Sequence, residues 1–71
     1  MQRFLIVVER AGANYSAFAP DLPGCIATGD TIESTRRNMQ QAIELHLQGL
    51  REDDLPIPDP TSFAEIVEVA S

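Results

Sequence analysis

Lysine and tryptophan are absent from this chain, and cysteine and histidine occur once each. A single thiol excludes an intramolecular disulfide. One Cys with one His cannot build the usual cage of a structural zinc site. All five basic residues are arginines, set against eleven acids, for a net charge of −6. So little positive charge argues against nucleic-acid binding by this chain, because phosphates are met by a basic surface. Long apolar runs are missing too. The longest, Phe4 to Val8, spans five residues, too few for a membrane span or a signal-peptide core. These absences point to a cytoplasmic, acidic protein with no membrane contact, suited to a basic protein partner.

What is present fits one small domain, residues 1–71. A domain of this size buries only about 60% of the surface its unfolded chain exposes, so its core alone gives little stability. With no disulfide or metal to help, association is the remaining source.

The stretch from Pro20 to Thr31 organises the rest. Pro20 and Pro23 fix φ and donate no ladder hydrogen bond. Asp21 is a common turn residue, and Gly24 takes positive φ to close the turn. Cys25 to Thr28 is short and small enough for a strand. Gly29 breaks it, and Asp30 and Thr31 offer N-caps for the helical pattern that follows, Thr31 being the preferred one. Ser34 stands where a capping box prefers Glu or Gln, so the box is expected to be weak.

On either side the periodicities are clear. Gln2 to Glu9 reads as a strand that is apolar on both faces, Phe4, Ile6 and Val8 opposing Leu5 and Val7. Such a run implies a strand covered on both sides. Arg10 to Asn14 is a turn, and Tyr15 to Ala19 pairs back as a hairpin strand. Ile32 to Leu50 is the one long helix, with a stripe of Ile32, Met39, Ile43, His46, Leu47 and Leu50, flanked by Thr35 and Ala42. Arg36 falls on the same side and Leu45 points away. The helix is expected to end near Arg51 to Asp53. Pro56, Pro58 and Pro60 then impose an extended connector, and Ile66 to Ala70 reads as a last strand. The expected fold is α+β, two layers in the order βββ–α–β. A right-handed crossover gives sheet order 3-2-1-4, with the last strand parallel to the first. One helix covers one sheet face, so a second copy is expected on the other, as a homodimer.

None of the chemistry-bearing residues assembles into a catalytic set. Asp21, Asp30 and Glu33 invite a two-metal reading, but each has a local turn, cap or first-turn task. His46 lies at the edge of the apolar stripe, and no nucleophile can be placed beside it by spacing. Cys25 begins a strand, so no helix N-terminus lowers its pKa. The reading is therefore a non-enzyme without metal or cofactor. Partner contact is assigned to the acids Glu52, Asp53, Asp54 and Asp59, with the exposed Leu45.

The run Ala19-Pro20-Asp21-Leu22-Pro23-Gly24-Cys25 followed by Thr28-Gly29-Asp30-Thr31 resembles the signature of the HicB-like antitoxin domain. Ala42-Ile43 within the helix and Pro56-Ile57-Pro58 after it stand in the family's order, so the resemblance covers roughly Phe4 to Val69. It implies a partial ribonuclease-H-like fold of the same strand order. It also implies a partner, a small basic HicA-type toxin that cleaves mRNA and is neutralised by occlusion. Many family members carry a C-terminal DNA-binding segment. The sequence here stops at Ser71, directly after the last expected strand, so an antitoxin without that segment is expected. The alternative is a stand-alone dimeric scaffold or small-ligand-binding domain with no toxin. A basic short reading frame beside the gene would favour the antitoxin.

Overall fold

The computed structural model describes residues 2–70. Three strands, β1 (Val7–Ala11), β2 (Asn14–Phe18) and β3 (Ile26–Gly29), precede one helix, α1 (Ile32–Glu52). The sheet order is β1-β2-β3 and both pairings are antiparallel. In the first hairpin Ala11 faces Asn14, leaving Gly12 and Ala13 as a two-residue loop. Gly12 alone of the two has positive φ, at 66°. That is the type II′ pattern, whose twist matches that of the flanking strands.

The register sorts the side chains. Val8, Ala17 and Ala27 lie side by side across the sheet and face α1, where they join the core around Leu22, Cys25, Met39 and Leu47. Two of those three strand residues are alanines, which lets the helix come close. Met39 and Leu22, both with no exposed surface, fill the space between. The next row, Val7, Phe18 and Ile26, points to the other face, which no strand or helix of the described residues covers. Phe18 is 38% and Ile26 68% exposed.

Thr31 caps the helix. Ser34 N–H donates to Thr31 Oγ1 at 3.0 Å, and Thr31 N–H donates to Ser34 Oγ at 3.0 Å. The capping box is thus complete, against the weak one expected. A serine hydroxyl placed at this position reaches the cap nitrogen as the longer Glu or Gln side chain does. The buried line of α1 is also turned slightly from the expected stripe. Thr35, expected at its flank, is fully buried, whereas Ile32 is 50% exposed. Thr35 hides its hydroxyl by donating to Thr31 O at 2.7 Å, so its burial leaves no polar group unpaired.

At the other end, Asp54 N–H donates to Arg51 O and Leu55 N–H to Leu50 O, with Asp54 at φ 54°. This is a Schellman closure with aspartate in the left-handed position. Ile57, set between Pro56 and Pro58, packs against the core and ties the connector to the domain.

The expected four-stranded sheet of order 3-2-1-4, with a parallel last strand and ribonuclease-H-like topology, is not formed. The sheet has three strands, all antiparallel, and β1 is an edge. Residues 66–70 are exposed and belong to no strand. Ile66, Val67 and Val69 have strand propensity, but propensity makes a strand only where a ladder and a covering layer go with it, and here Phe63, Ile66, Val67 and Val69 are 78%, 95%, 77% and 79% exposed. The first strand also starts and ends later than expected, because the ladder begins at Val7 and runs on through Arg10 and Ala11, which were expected in the turn.

A candidate protein-interaction surface

The Pro20–Thr31 stretch acts structurally. Ala19 N–H donates to Cys25 O at 3.3 Å, Leu22 N–H to Ala19 O at 3.0 Å and Cys25 N–H to Leu22 O at 3.0 Å. These bonds fold the loop back and drive Leu22 into the core. Pro20, Pro23 and Gly24 stay outside, and Gly24 turns the chain at φ 82°. Cys25 is buried, and that burial pushes its thiol pKa up, away from the thiolate a nucleophile needs. Gly29 is needed for space. A Cβ there would lie 2.7 Å from Thr35 N and 2.6 Å from Thr35 Oγ1. The strand can therefore reach the first turn of the helix only without a side chain. Asp30 precedes the cap and is exposed.

Asp21 does more than turn the chain. Its carboxylate accepts Ser62 N–H at 3.0 Å, Ser62 Oγ–H at 2.8 Å and Thr61 Oγ1–H at 3.2 Å. The Ser62 backbone N–H, followed by the Ser62 hydroxyl, holds the carboxyl below the ordinary aspartate range. The bond spans about forty residues of sequence and fixes where the C-terminal segment leaves the domain. No spacing rule finds such a pair, since Thr-Ser after a proline is an ordinary loop composition.

The acids assigned to partner contact gather at the end of α1. Glu52 is the last helical residue, Asp53 the C-cap, and Asp54 follows; all three are exposed, as is Asp59 in the connector. Leu45, Gln48 and Glu52 stand at i, i+3 and i+7, on one face of the helix, and Gln48 Nε2 donates to Glu52 Oε1 at 3.1 Å. Leu45 is 69% exposed. The surface is thus an apolar residue beside a cluster of negative charge. Acids at a helix C-terminus oppose the macrodipole. Arg51 is the only basic residue in that last turn, so this acidity is not there to stabilise the helix.

An open groove between the lead-in to β1 and the helix is lined by Phe4, Ile6, Ile43 and Leu47 and rimmed by Arg36 and Glu44. No group of three or more His, Cys, Asp or Glu side chains among the described residues is placed to hold a metal. His46 lies half-buried on α1. The apolar row Val7–Phe18–Ile26 was not singled out from sequence, although the hairpin register that aligns it follows once the Gly12–Ala13 loop is fixed.

The model of the HicB-like antitoxins of bacterial toxin–antitoxin systems matches residues 4–70. The chain belongs to that family. A UPF0150 protein of Helicobacter pylori is 43% identical over 49 residues, covering 69% of this chain and 68% of that protein. Another, from Synechocystis, is 35% identical over 54 residues, covering 76% and 68%. An uncharacterised 14.9 kDa protein of Haemophilus phage HP1 is 38% identical over 62 residues. That match takes in 87% of the present chain but 47% of the phage protein, so the chain spans about half that relative's length. A chain of the solved HicA3 and HicB3 toxin–antitoxin complex superposes with a TM-score of 0.68 at 22% identity, covering 83% of this HicB-like chain and 72% of that one. The likeness shows a shared fold. No helix of the described residues is long and apolar enough to cross a membrane.

Proposed function

We propose that this HicB-like chain is a non-catalytic antitoxin that binds a small basic HicA-type ribonuclease and occludes its RNA-binding surface, in the cytoplasm. The observation that carries the reading is the family match over residues 4–70. The acidic character of the chain supports it, with net charge −6, because opposite charge speeds encounter and excludes RNA from a covered basic face. The contact we assign is the α1 end: Leu45 as apolar anchor, with Glu52, Asp53, Asp54 and, from the connector, Asp59 as the charged rim. Residues 1–71 act in this reading as one HicB-like domain.

The test is RNA cleavage by a small basic HicA-type toxin, with and without the chain, alongside the affinity of the pair. The native chain is expected to abolish cleavage. The double reversal Glu52→Arg/Asp53→Arg is expected to weaken binding by about tenfold or more at physiological salt. Full cleavage in the presence of native chain would remove the antitoxin reading. Unchanged affinity of the reversed variant would remove the surface assignment alone.

The partner set includes a second copy of the chain. The apolar Val7–Phe18–Ile26 row on the uncovered sheet face supports a homodimer, since a small domain gains from covering such a row.

A further inference from the structure

Most hydroxyl side chains of the described residues are committed to regular structure. Tyr15 and Ser16 lie in β2 and Thr28 in β3. Thr31 and Ser34 close the capping box, and Thr35 is buried in the first turn of α1. Thr61 and Ser62 differ. They are exposed and belong to no helix or strand, and they follow Pro56, Pro58 and Pro60, which keep the connector extended. We infer that Ser62 is a phosphorylation site, and that phosphate there moves the root of the C-terminal segment from Asp21 to Arg3. The inference stands apart from the antitoxin reading and needs no toxin.

A kinase takes the acceptor hydroxyl into its own cleft, so the residue has to leave the domain surface without unfolding the domain. Ser62 meets that demand. The three bonds that hold Thr61 and Ser62 all go to one carboxylate, that of Asp21, and opening them leaves the core in place, a local event of low cost. Asp59 stands three residues before Ser62 and Glu65 three residues after it. Acids on both sides suit a kinase whose substrate cleft is basic. In the transfer, Ser62 Oγ bonds to the γ-phosphorus of a nucleoside triphosphate. The hydroxyl proton passes to the carboxylate base of the kinase, the bond from the γ-phosphorus to the bridging oxygen breaks, and nucleoside diphosphate leaves.

The consequence follows from the two groups on either side of Ser62. Its hydroxyl donates to Asp21 Oδ1 at 2.8 Å. A phosphate ester has no proton there to give, and it carries about −1.5 to −2 charge at neutral pH. The contact that ties the segment down thereby becomes a repulsion between anions. Arg3 lines the same shallow pocket as Ser62, beside Phe4 and Leu5, and is exposed. A guanidinium presents paired N–H donors that match phosphate oxygens. Ser62 thus stands between an acid that holds its hydroxyl and a base suited to its phosphate, and one covalent change selects between the two arrangements. The root of the segment passes from the signature loop to the lead-in of β1.

The experiment has two arms, both on the full chain. Protein purified from its own cells with phosphatases blocked is expected to carry phosphate on Ser62, located by fragmentation mass spectrometry. Absence of phosphate there through growth and starvation, or phosphate confined to another residue, overturns the site. For the switch, the chain is produced with phosphoserine encoded in place of Ser62. Its phosphorus resonance is expected to titrate about half a pH unit below the ordinary phosphoserine value of about 6, and Arg3→Gln to return it to that value. The Asp21 carboxyl, held low in the unmodified chain, is expected to rise to the ordinary aspartate range or above it. Far-UV circular dichroism is expected to stay unchanged in both chains, because Arg3 and Ser62 lie outside the core. A phosphorus titration indifferent to Arg3→Gln, or an Asp21 midpoint still depressed beside the phosphate, overturns the switch.

Discussion

The carboxylate of Asp21 grips Ser62 twice, taking its backbone N–H at 3.0 Å on one oxygen and its hydroxyl at 2.8 Å on the other. A turn residue of the signature loop is thereby the mooring of the C-terminal segment. Hydrogen bonds to the ionised form are what lower its pKa, led by the Ser62 N–H. The sign follows from linkage. A carboxyl depressed in the folded state contributes above its unfolded pKa, and the contribution is lost as pH falls through the lower folded value.

The Ser62 amide resonance is therefore expected to titrate with a midpoint below that of an ordinary aspartate. Asp21→Asn should abolish that titration and cut the amide's exchange protection, while the core amides of β2 and α1 keep theirs. A Ser62 midpoint at or above the usual aspartate pKa would show that the mooring does not hold in solution.

Two glycines are expected to respond to the same substitution with opposite signs. At Gly29 an added Cβ lies 2.7 Å from the Thr35 backbone nitrogen, an atom that cannot move without disturbing the helix start. Gly29→Ala should cost about 1–3 kcal/mol, in the range of overpacked cores. At Gly49, inside α1, a Cβ meets nothing within 4 Å. Gly49→Ala should stabilise by about 0.5–1 kcal/mol through helix propensity alone. Urea unfolding monitored at 222 nm separates the two, with unchanged m-values confirming that stability and not compactness has moved. Equal responses would mean that the strand and the helix start do not meet as closely as described.

The sequence made the local elements readable where one rule governed them. Gly12 and Gly24 marked turns, Thr31 marked the helix start, and the apolar stripe placed Met39 and Leu47 in the core. The acids of the α1 end were legible as exposed charge, though their partner was not. Harder to read was whatever depended on contacts distant in sequence. Leu22 sits between two prolines in a loop, and its complete burial comes from the folded-back Ala19–Cys25 hydrogen bonds, not from any periodicity. Thr61 and Ser62 carry no mark of their tie to Asp21. The last strand failed for a related reason. Ile66, Val67 and Val69 have strand propensity, but propensity does not supply a covered site, and β-preference follows burial more than backbone.

Asp54 separates stability from binding in a single position. It stands at φ 54°, in the left-handed region that costs an ordinary L-residue about 1–2 kcal/mol and an aspartate less. Its backbone completes the Schellman closure by donating to Arg51 O at 3.1 Å, a bond that glycine would make equally well. Asp54→Gly is therefore expected to raise unfolding stability by roughly 0.5–1 kcal/mol. If Asp54 belongs to the charged rim that meets a basic toxin, the same variant binds that toxin more weakly, and Asp54→Asn, which tolerates the left-handed backbone while removing the charge, weakens binding as well. Thermal unfolding and toxin affinity measured on both variants decide the matter. Higher stability with weaker binding means that the acid is kept for its partner at a small cost to the fold. Higher stability with unchanged binding would leave Asp54 as a helix stop only, and the rim would shrink to Glu52, Asp53 and Asp59.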